Sequence, residues 1–240
     1  MSVIYPFLFV FGAAVGSFLN VVILRSLKAE TLGGRSYCPH CKQQLSARDL
    51  IPIFSFIFLH GRCRTCFHPI SIQYPVVELV VGILLMLTYP DILLFIATCL
   101  LVVLFVIDLK SFILPDTYIV ILTVTALLRW PVSLPGAAIG AGFLLILWLA
   151  TRGKGIGLGD VKLMVPLGLM AGVDGTVAIL SAAFFFGAVV GLLLIATGKA
   201  SRKTAIPFGP FLAGAAILVL LFPAVTSLVQ LLLYPWPLVR

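Results

Sequence analysis

Long apolar runs follow one another along the chain, separated by short polar or glycine-rich linkers. A helix that spans a bilayer needs about 20 mainly apolar residues, and fewer where neighbouring helices cover its ends. The pattern therefore predicts an all-α polytopic membrane protein with about eight transmembrane helices. The predicted spans are residues 4–24, 72–88, 92–107, 117–130, 134–150, 161–173, 175–197 and 206–222, and an apolar stretch at 224–234 extends the last one.

Composition supports this class, because hydrophobic residues make up 62% of the 240 positions and charged residues only 10%. A soluble domain of this size would expose too much apolar surface. The first apolar run has no basic residue before it and continues well past its small residues. We therefore expect a retained helix there and not a signal peptide.

Basic residues are concentrated in every second linker, and the other linkers contain only Arg129. The positive-inside rule places such linkers in the cytoplasm and both termini outside. Because topology accounts for most of the net charge of +8, we expect no nucleic-acid partner. The basic positions are Arg25, Lys28, Arg35, Lys42, Arg48, Arg62, Arg64, Lys110, Arg152, Lys154, Lys162, Lys199, Arg202 and Lys203, with Arg240 at the end of the chain.

Two C-x-x-C pairs lie in the one sizeable polar segment, residues 26–71, between the first two predicted helices. Four thiolates at this spacing are typical of a closed tetrahedral Zn²⁺ site, which is structural and not catalytic. Disulfides and redox dithiols are the alternatives, and a cytoplasmic location disfavours structural disulfides. The predicted ligands are Cys38, Cys41, Cys63 and Cys66, while His40 and His68 are left as residues at the surface or next to the ligands.

Several polar residues stand in or beside the apolar runs, where an uncompensated charge is costly. Asn20 is interpreted equally well as an interhelical hydrogen-bond partner or as a ligand contact. Glu78 is expected to face the protein interior, paired with a basic group or serving a site. Asp49 is interpreted as an N-cap or a site residue, with the N-cap favoured, and Asp116 is placed where an N-cap is expected.

Two acids close to the cytoplasmic ends of predicted helices stand apart from these. Asp108 ends an apolar run, where the helix dipole disfavours an acid, so capping does not explain it. Asp160 lies in the polar stretch Gly157–Lys162, where capping of the next helix and a functional role are both open. Topology places the two acids at one membrane face, and Lys162 either orients a group there or only adds to the positive-inside bias.

Taken in order along the chain, these motifs resemble the type IV prepilin peptidases, also called prepilin leader peptidase/N-methyltransferases, which are membrane aspartic proteases of the GxGD class. The resemblance covers nearly the whole chain. A lone G-x-G-D motif would be weak evidence for this family, whereas six motifs in the order typical of the family are specific evidence. The matching segments are Gly16–Val22 with Arg25, the paired C-x-x-C motifs, Tyr74–Leu79, Ile107-Asp108 with Leu114-Pro115-Asp116, Gly157–Lys162 and Pro207–Pro210.

The resemblance implies that Asp108 and Asp160 are a catalytic pair. It implies a prepilin or pseudopilin substrate, cut after a Gly at the end of a short basic leader, and N-methylation of the new N-terminus with S-adenosylmethionine. The expected location is the bacterial inner membrane, with lipid around the helices. Candidate methyl-donor residues are Gly16, Asn20 and Glu78.

The resemblance also implies a division of labour along the chain. Residues 1–25 would form the first transmembrane helix, residues 26–71 a zinc-binding insert associated with methylation, and residues 72–240 the peptidase domain. Two other readings stay open. One is a leader peptidase whose insert is only a scaffold. The other is a transporter with a zinc module, which predicts acids near the bilayer midplane and repeated spans, and neither is seen in the sequence.

Overall fold

The computed structural model of the protein describes residues 4–129, 131–199, 201 and 204–224. Its regular elements within these ranges are helical, with two isolated β-bridges. Arg202, Lys203, Arg240 and all but the first residue of the predicted apolar extension at 224–234 lie outside the described residues. The elements are α1 (Ile4–Leu27), a short 3-10 helix (Ala47–Leu50), α2 (Phe54–Phe58), α3 (Gln73–Thr88), α4 (Ile92–Ser111), α5 (Asp116–Leu128), α6 (Leu134–Thr151), α7 (Leu158–Ala196) and α8 (Gly209–Leu221).

The all-α membrane fold predicted from the apolar runs is confirmed. Four of the described helices, α1, α4, α6 and α7, are long and apolar enough to cross a membrane, and α3, α5 and α8 are shorter apolar helices. The count of eight spans stays a prediction. The predicted spans 161–173 and 175–197 both lie in α7, whose backbone leaves the helical conformation at Gly172 (φ 72°, ψ −176°), so that two helical segments meet there at a kink. Such a backbone conformation is accessible almost only to glycine.

The helices form two compact units, residues 1–95 and 96–240, which divide inside α4. In the first unit α1 packs on α3 through glycines. A Cβ at Gly12 would lie 2.8 Å from the Val81 carbonyl oxygen, and one at Gly16 would lie 2.8 Å from the Glu78 Cα. Small residues let membrane helices approach this closely, as expected for Gly16.

In the second unit α7 is the central element, with α5, α6 and α8 packed against it. At the α6–α7 contact a Cβ on Gly168 would lie 2.6 Å from the backbone of Ala137. The buried core of the unit includes Leu104, Leu122 and Leu163. This packing fixes the direction of α7, and therefore the position of the polar stretch at its beginning.

Candidate catalytic and metal sites

Asp108 lies in the last turn of α4, and its side chain is only 4% exposed. The helix ends at Ser111, where Phe112 takes a left-handed conformation (φ 56°) and turns the chain into the linker before α5. The backbone N–H of Gly209, the first residue of α8, donates a hydrogen bond to the Asp108 carboxylate. A buried carboxylate at the unfavourable end of one helix is thus partnered by the favourable end of another.

Asp160 lies in the first turn of α7 and is 6% exposed. Its Oδ2 accepts a hydrogen bond from the Gly157 N–H at 3.0 Å, so it does cap the helix. Capping is not its only interaction, because the carboxylate of Asp108 also acts electrostatically on Asp160. Two acids 52 positions apart in the sequence are therefore close enough to interact.

Leu114, in the linker after Asp108, packs against both glycine segments. A Cβ added at Gly159 would lie 3.1 Å from the Leu114 Cβ, and one added at Gly209 would lie 3.2 Å from its Cδ1. The linker therefore lies between the beginnings of α7 and α8, beside both acids. Each carboxylate accepts a hydrogen bond from a different glycine N–H, so each side chain is held in position separately from the other.

Two positions beside the acids differ from the sequence interpretation. Asp116 is not an N-cap: Pro115 holds that position, and Asp116 is the first residue of α5. Both Asp116 oxygens bond the Lys162 Nζ at 2.9 Å instead, 46 positions away. Both side chains are well exposed, at 46% for Lys162 and 67% for Asp116. The pair joins the starts of α5 and α7 at the surface.

Gly209 is the site residue that sequence reasoning missed. From the sequence, the segment Pro207–Pro210 is given only as one of the motifs that resemble the family, without a link to Asp108. A backbone donor has no side-chain signature, and the two residues are 101 positions apart. The available signal was a glycine between two prolines at a helix start, where free N–H groups point outward.

The four predicted metal ligands come together in the first unit. The Sγ atoms of Cys38, Cys41, Cys63 and Cys66 all lie within 4.8 Å of one another. The Cys38 and Cys66 sulfurs are 3.9 Å apart, and none of the four is in a disulfide. Tetrahedral zinc with bonds of about 2.3 Å requires sulfurs about 3.8 Å apart. The donor set therefore fits a closed four-thiolate metal site.

The two C-x-x-C turns have the same backbone structure, offset by 25 positions. Cys38 N–H bonds the Gln43 oxygen and Lys42 N–H bonds the Cys38 oxygen. The Cys63 N–H and the Phe67 N–H make the equivalent bonds in the second turn. Backbone N–H groups of Cys66 and Thr65 lower the pKa of Cys63. At Cys66 the hydrogen bond from the His68 N–H is outweighed by burial and by hydrogen bonds with the neighbouring thiols, which raise the pKa. The thiolate form that binds metal is therefore favoured at Cys63 first.

Residues beside the tetrad serve the insert itself. His40 and His68 are exposed and stack with ring centroids 4.1 Å apart, as expected for surface residues. Asp49 is not an N-cap, because Ser46 holds that position and Asp49 completes a capping box. Burial would raise the pKa of Asp49, but hydrogen bonds from Ser46 and Arg64 outweigh it and hold the pKa below its usual value.

The three candidate methyl-donor residues lie where α1 packs on α3. Asn20 Nδ2 donates to the Gly16 oxygen at 3.3 Å and to the Tyr74 oxygen at 3.1 Å. Glu78 is buried, and its Oε2 accepts the Ile53 N–H at 2.7 Å. The sequence predicted that Glu78 pairs with a basic group or serves a site. No basic side chain pairs with Glu78 within the described ranges, and a backbone N–H of the insert is its partner instead.

Comparison with known families divides the chain into two matched regions. Residues 10–92 match the bacterial peptidase A24 N-terminal domain, and residues 93–192 match the type IV leader peptidase family. The first region contains the cysteine tetrad and the α1–α3 contact. The second contains Asp108 and Asp160.

Whole-chain relatives are similar over most of their length. A prepilin leader peptidase/N-methyltransferase of Bacillus subtilis is 34% identical, covering 90% of this chain and 93% of the relative. Proteins of the same name from Aeromonas hydrophila and Burkholderia pseudomallei are 34% and 36% identical, covering 91% and 90% of this chain and 90% and 84% of theirs. No solved structure matches the chain.

Proposed function

Because the chain belongs to the type IV leader peptidase family, we propose that it removes the leader of a type IV prepilin or pseudopilin and N-methylates the new N-terminus. The observation that carries the peptidase half is the juxtaposition of Asp108 and Asp160, two buried acids from different helices. The methylation half is supported by the shared name of the relatives and by their coverage of both regions of the chain.

In this proposal Asp108 and Asp160 are the catalytic pair. Two carboxylates at close range cannot both ionise cheaply, so they share a proton. The ionised acid takes a proton from water as the water oxygen bonds the scissile carbonyl carbon, while its protonated partner donates to the carbonyl oxygen. The carbon–nitrogen bond then breaks, and the leaving amine takes up a proton. The hydrogen bonds from Gly157 and Gly209 keep the two carboxylates oriented.

The proposed position of the cut follows from the substrate and from the basic linkers. A prepilin has an apolar stem that stays in lipid and a basic leader that stays in water, so its scissile bond lies at a membrane face. Asp108 and Asp160 lie at the ends of long apolar helices, which suits that depth. The basic linkers place that face in the cytoplasm by the positive-inside rule, which supports the bacterial inner membrane as the location.

For the metal site we propose structural Zn²⁺ held by Cys38, Cys41, Cys63 and Cys66. The sulfur separations support this choice, and a closed thiolate set leaves no position for catalysis. The insert, residues 26–71, has no hydrophobic core of its own among its described residues, so a metal cross-link would hold its two turns together. In the proposed division, this insert supports methylation and residues 72–240 carry the peptidase.

For methylation we propose that Gly16, Asn20 and Glu78 contribute to binding of S-adenosylmethionine. The polar groups at the α1–α3 contact, among them a buried acid without a basic partner, fit a cationic ligand rich in donors. When bound, the methyl donor supplies an electrophilic methyl group, so that a nitrogen–carbon bond forms as its sulfur–carbon bond breaks and the amine releases a proton.

The test is the intact mass of a full-length prepilin after incubation with the purified protein in detergent, with and without S-adenosylmethionine. We expect the leader to be lost in both reactions, and one methylene to be added only when the methyl donor is present. A prepilin of unchanged mass contradicts the whole proposal. A prepilin that is cleaved but never methylated leaves a leader peptidase whose insert is only a scaffold.

A further inference from the structure

A chain of hydrogen bonds at the α1–α3 contact fixes the orientation of two side-chain amides. Asn20 donates from Nδ2 to two carbonyl oxygens, those of Gly16 and Tyr74. A carbonyl oxygen can only accept, so the nitrogen of Asn20 must face them and Oδ1 must face away. The network, and not an arbitrary choice of rotamer, therefore presents the Asn20 oxygen to its next neighbour.

That neighbour is Gln73, the first residue of α3. Its Nε2 donates to Asn20 Oδ1 at 3.2 Å. Because Asn20 presents an oxygen, Gln73 must use its nitrogen there, and its own oxygen is directed elsewhere. Gln73 Oε1 is buried and has no hydrogen-bond partner within the part of the chain that the structure describes. A buried acceptor without a donor is costly, so natural proteins rarely leave one unsatisfied.

A second feature of α3 indicates the kind of ligand that this acceptor would suit. Glu78, further along α3, is a buried carboxylate whose partners are the Ile53 N–H and the Ser17 side chain. Neither partner carries a positive charge. An unfilled acceptor and an uncompensated acid on one helix suit a cationic molecule that carries N–H or O–H donors.

We propose that Gln73 is a further binding residue for the methyl donor and accepts, through Oε1, a hydrogen bond from one of its N–H or O–H groups. S-adenosylmethionine is cationic and offers such donors on its amino-acid, ribose and adenine parts. The inference rests on the proposed methyltransferase function and adds a residue that the sequence motifs did not single out. Gln73 belongs to the binding site and takes no part in the bond changes.

The test compares two substitutions at this position by titration calorimetry, with the full-length protein in detergent, no prepilin present and S-adenosylmethionine as the probe. Gln73→Met removes both the acceptor and the donor to Asn20, whereas Gln73→Glu keeps an acceptor and loses the donor. We expect Gln73→Met to weaken binding about tenfold or more, the loss expected for one unmade hydrogen bond to a ligand. The affinity of Gln73→Glu should stay closer to that of the wild type. Gln43→Met, a control at an exposed position of the insert, should bind the probe with wild-type affinity.

Leader cleavage by each variant reports that the protein is folded, and the remaining outcomes separate the alternatives. Equal weakening by Gln73→Met and Gln73→Glu would contradict the inference, because Gln73 would then act only by supporting Asn20. Wild-type affinity in Gln73→Met would also contradict it, leaving an ordered water as the partner of Oε1. A wild-type protein that cleaves prepilin but neither binds the probe nor methylates would instead refute the methyltransferase half of the proposed function, and the inference with it.

Discussion

The backbone N–H of Gly209 donates a hydrogen bond to the carboxylate of Asp108, so the first residue of α8 holds an acid in the last turn of α4. The approach is possible only because residue 209 has no side chain. A Cβ there would lie 2.5 Å from Asp108 Oδ2, far inside van der Waals contact. The position of one proposed catalytic acid thus depends on a glycine that carries no chemistry itself.

Gly209→Ala should therefore impair leader cleavage strongly. The added methyl group displaces the Asp108 carboxylate, and a misplacement of about 1 Å can cost about 100-fold in rate. Gly214→Ala, in the same helix, is the matched control, because its Cβ would meet its nearest neighbour, Phe105, at 3.9 Å. Initial rates of prepilin cleavage by equal amounts of folded protein measure the effect. If both variants cleave equally well, Gly209 does not position the acid.

Removing two of the four cysteines should remove the metal. Cys38→Ser combined with Cys41→Ser leaves two thiolates, which are too few to hold zinc in a closed site. Zinc content, measured by mass spectrometry of the purified protein, should be stoichiometric in the wild type and lost in the variant. Cys99→Ala, outside the tetrad, should keep its zinc. Unchanged zinc content in the double variant would refute the tetrad.

Glu78 should hold the insert against α3 through the Ile53 N–H. Ile53 has a positive φ of 63°, and the Phe54 N–H bonds the Pro52 oxygen at 2.6 Å across it. This is a γ-turn, a strained conformation that persists only when its surroundings support it. Glu78→Ala removes that support and leaves the part-buried Ile53 N–H without its acceptor, at a cost of about 1–3 kcal/mol.

The measurement is the rate of tryptic cleavage within the insert, which contains the exposed residues Arg48, Arg62 and Arg64. Glu78→Ala should be cut about tenfold faster or more, as a loss of about 1.4 kcal/mol or more implies. Glu78→Gln keeps a carbonyl oxygen at this position and should stay closer to the wild type. Equal rates for all three proteins would show that Glu78 does not anchor the insert.

The ion pair between Lys162 and Asp116 should contribute little to stability, because both side chains are well exposed. Exposed pairs are worth between about 0 and 1 kcal/mol. Lys162→Met and Asp116→Asn should each change the free energy of unfolding by less than about 1 kcal/mol, and the double variant should be no worse than the sum of the two. A much larger loss in Lys162→Met alone would assign Lys162 a role beyond the pair. Unfolding in detergent, followed by circular dichroism, measures these differences.

The helices were largely predictable, because helices that span a bilayer consist of long apolar runs of sequence. The predicted segment at 72–88 is α3 (Gln73–Thr88), and the one at 92–107 is α4, which continues to Ser111. The segments at 161–173 and 175–197 correspond to the two parts of α7, which meet at the non-helical residue Gly172. The sequence indicated a boundary here, but not the backbone conformation at Gly172.

Only those parts of the candidate site that consist of side-chain groups were predictable from the sequence. Asp108, Asp160 and the cysteines stood out because acids in apolar runs and paired thiols are unusual residues in such places. The donors from Gly157 and Gly209 are backbone groups without a sequence signature. Contacts between residues far apart in the sequence were not predictable either. Asp116 was assigned as an N-cap because its partner, Lys162, lies 46 positions away.

The central claim is that Asp108 and Asp160 form the peptidase pair, and single turnovers of a prepilin by Asp108→Asn and Asp160→Asn test it most directly. Asparagine keeps the size of the side chain and removes its acid–base function. Both variants should stay folded and should still bind the methyl donor in calorimetry, yet leave the leader uncut within the time that the wild type needs to cut it completely. Full cleavage by either folded variant would contradict the pair.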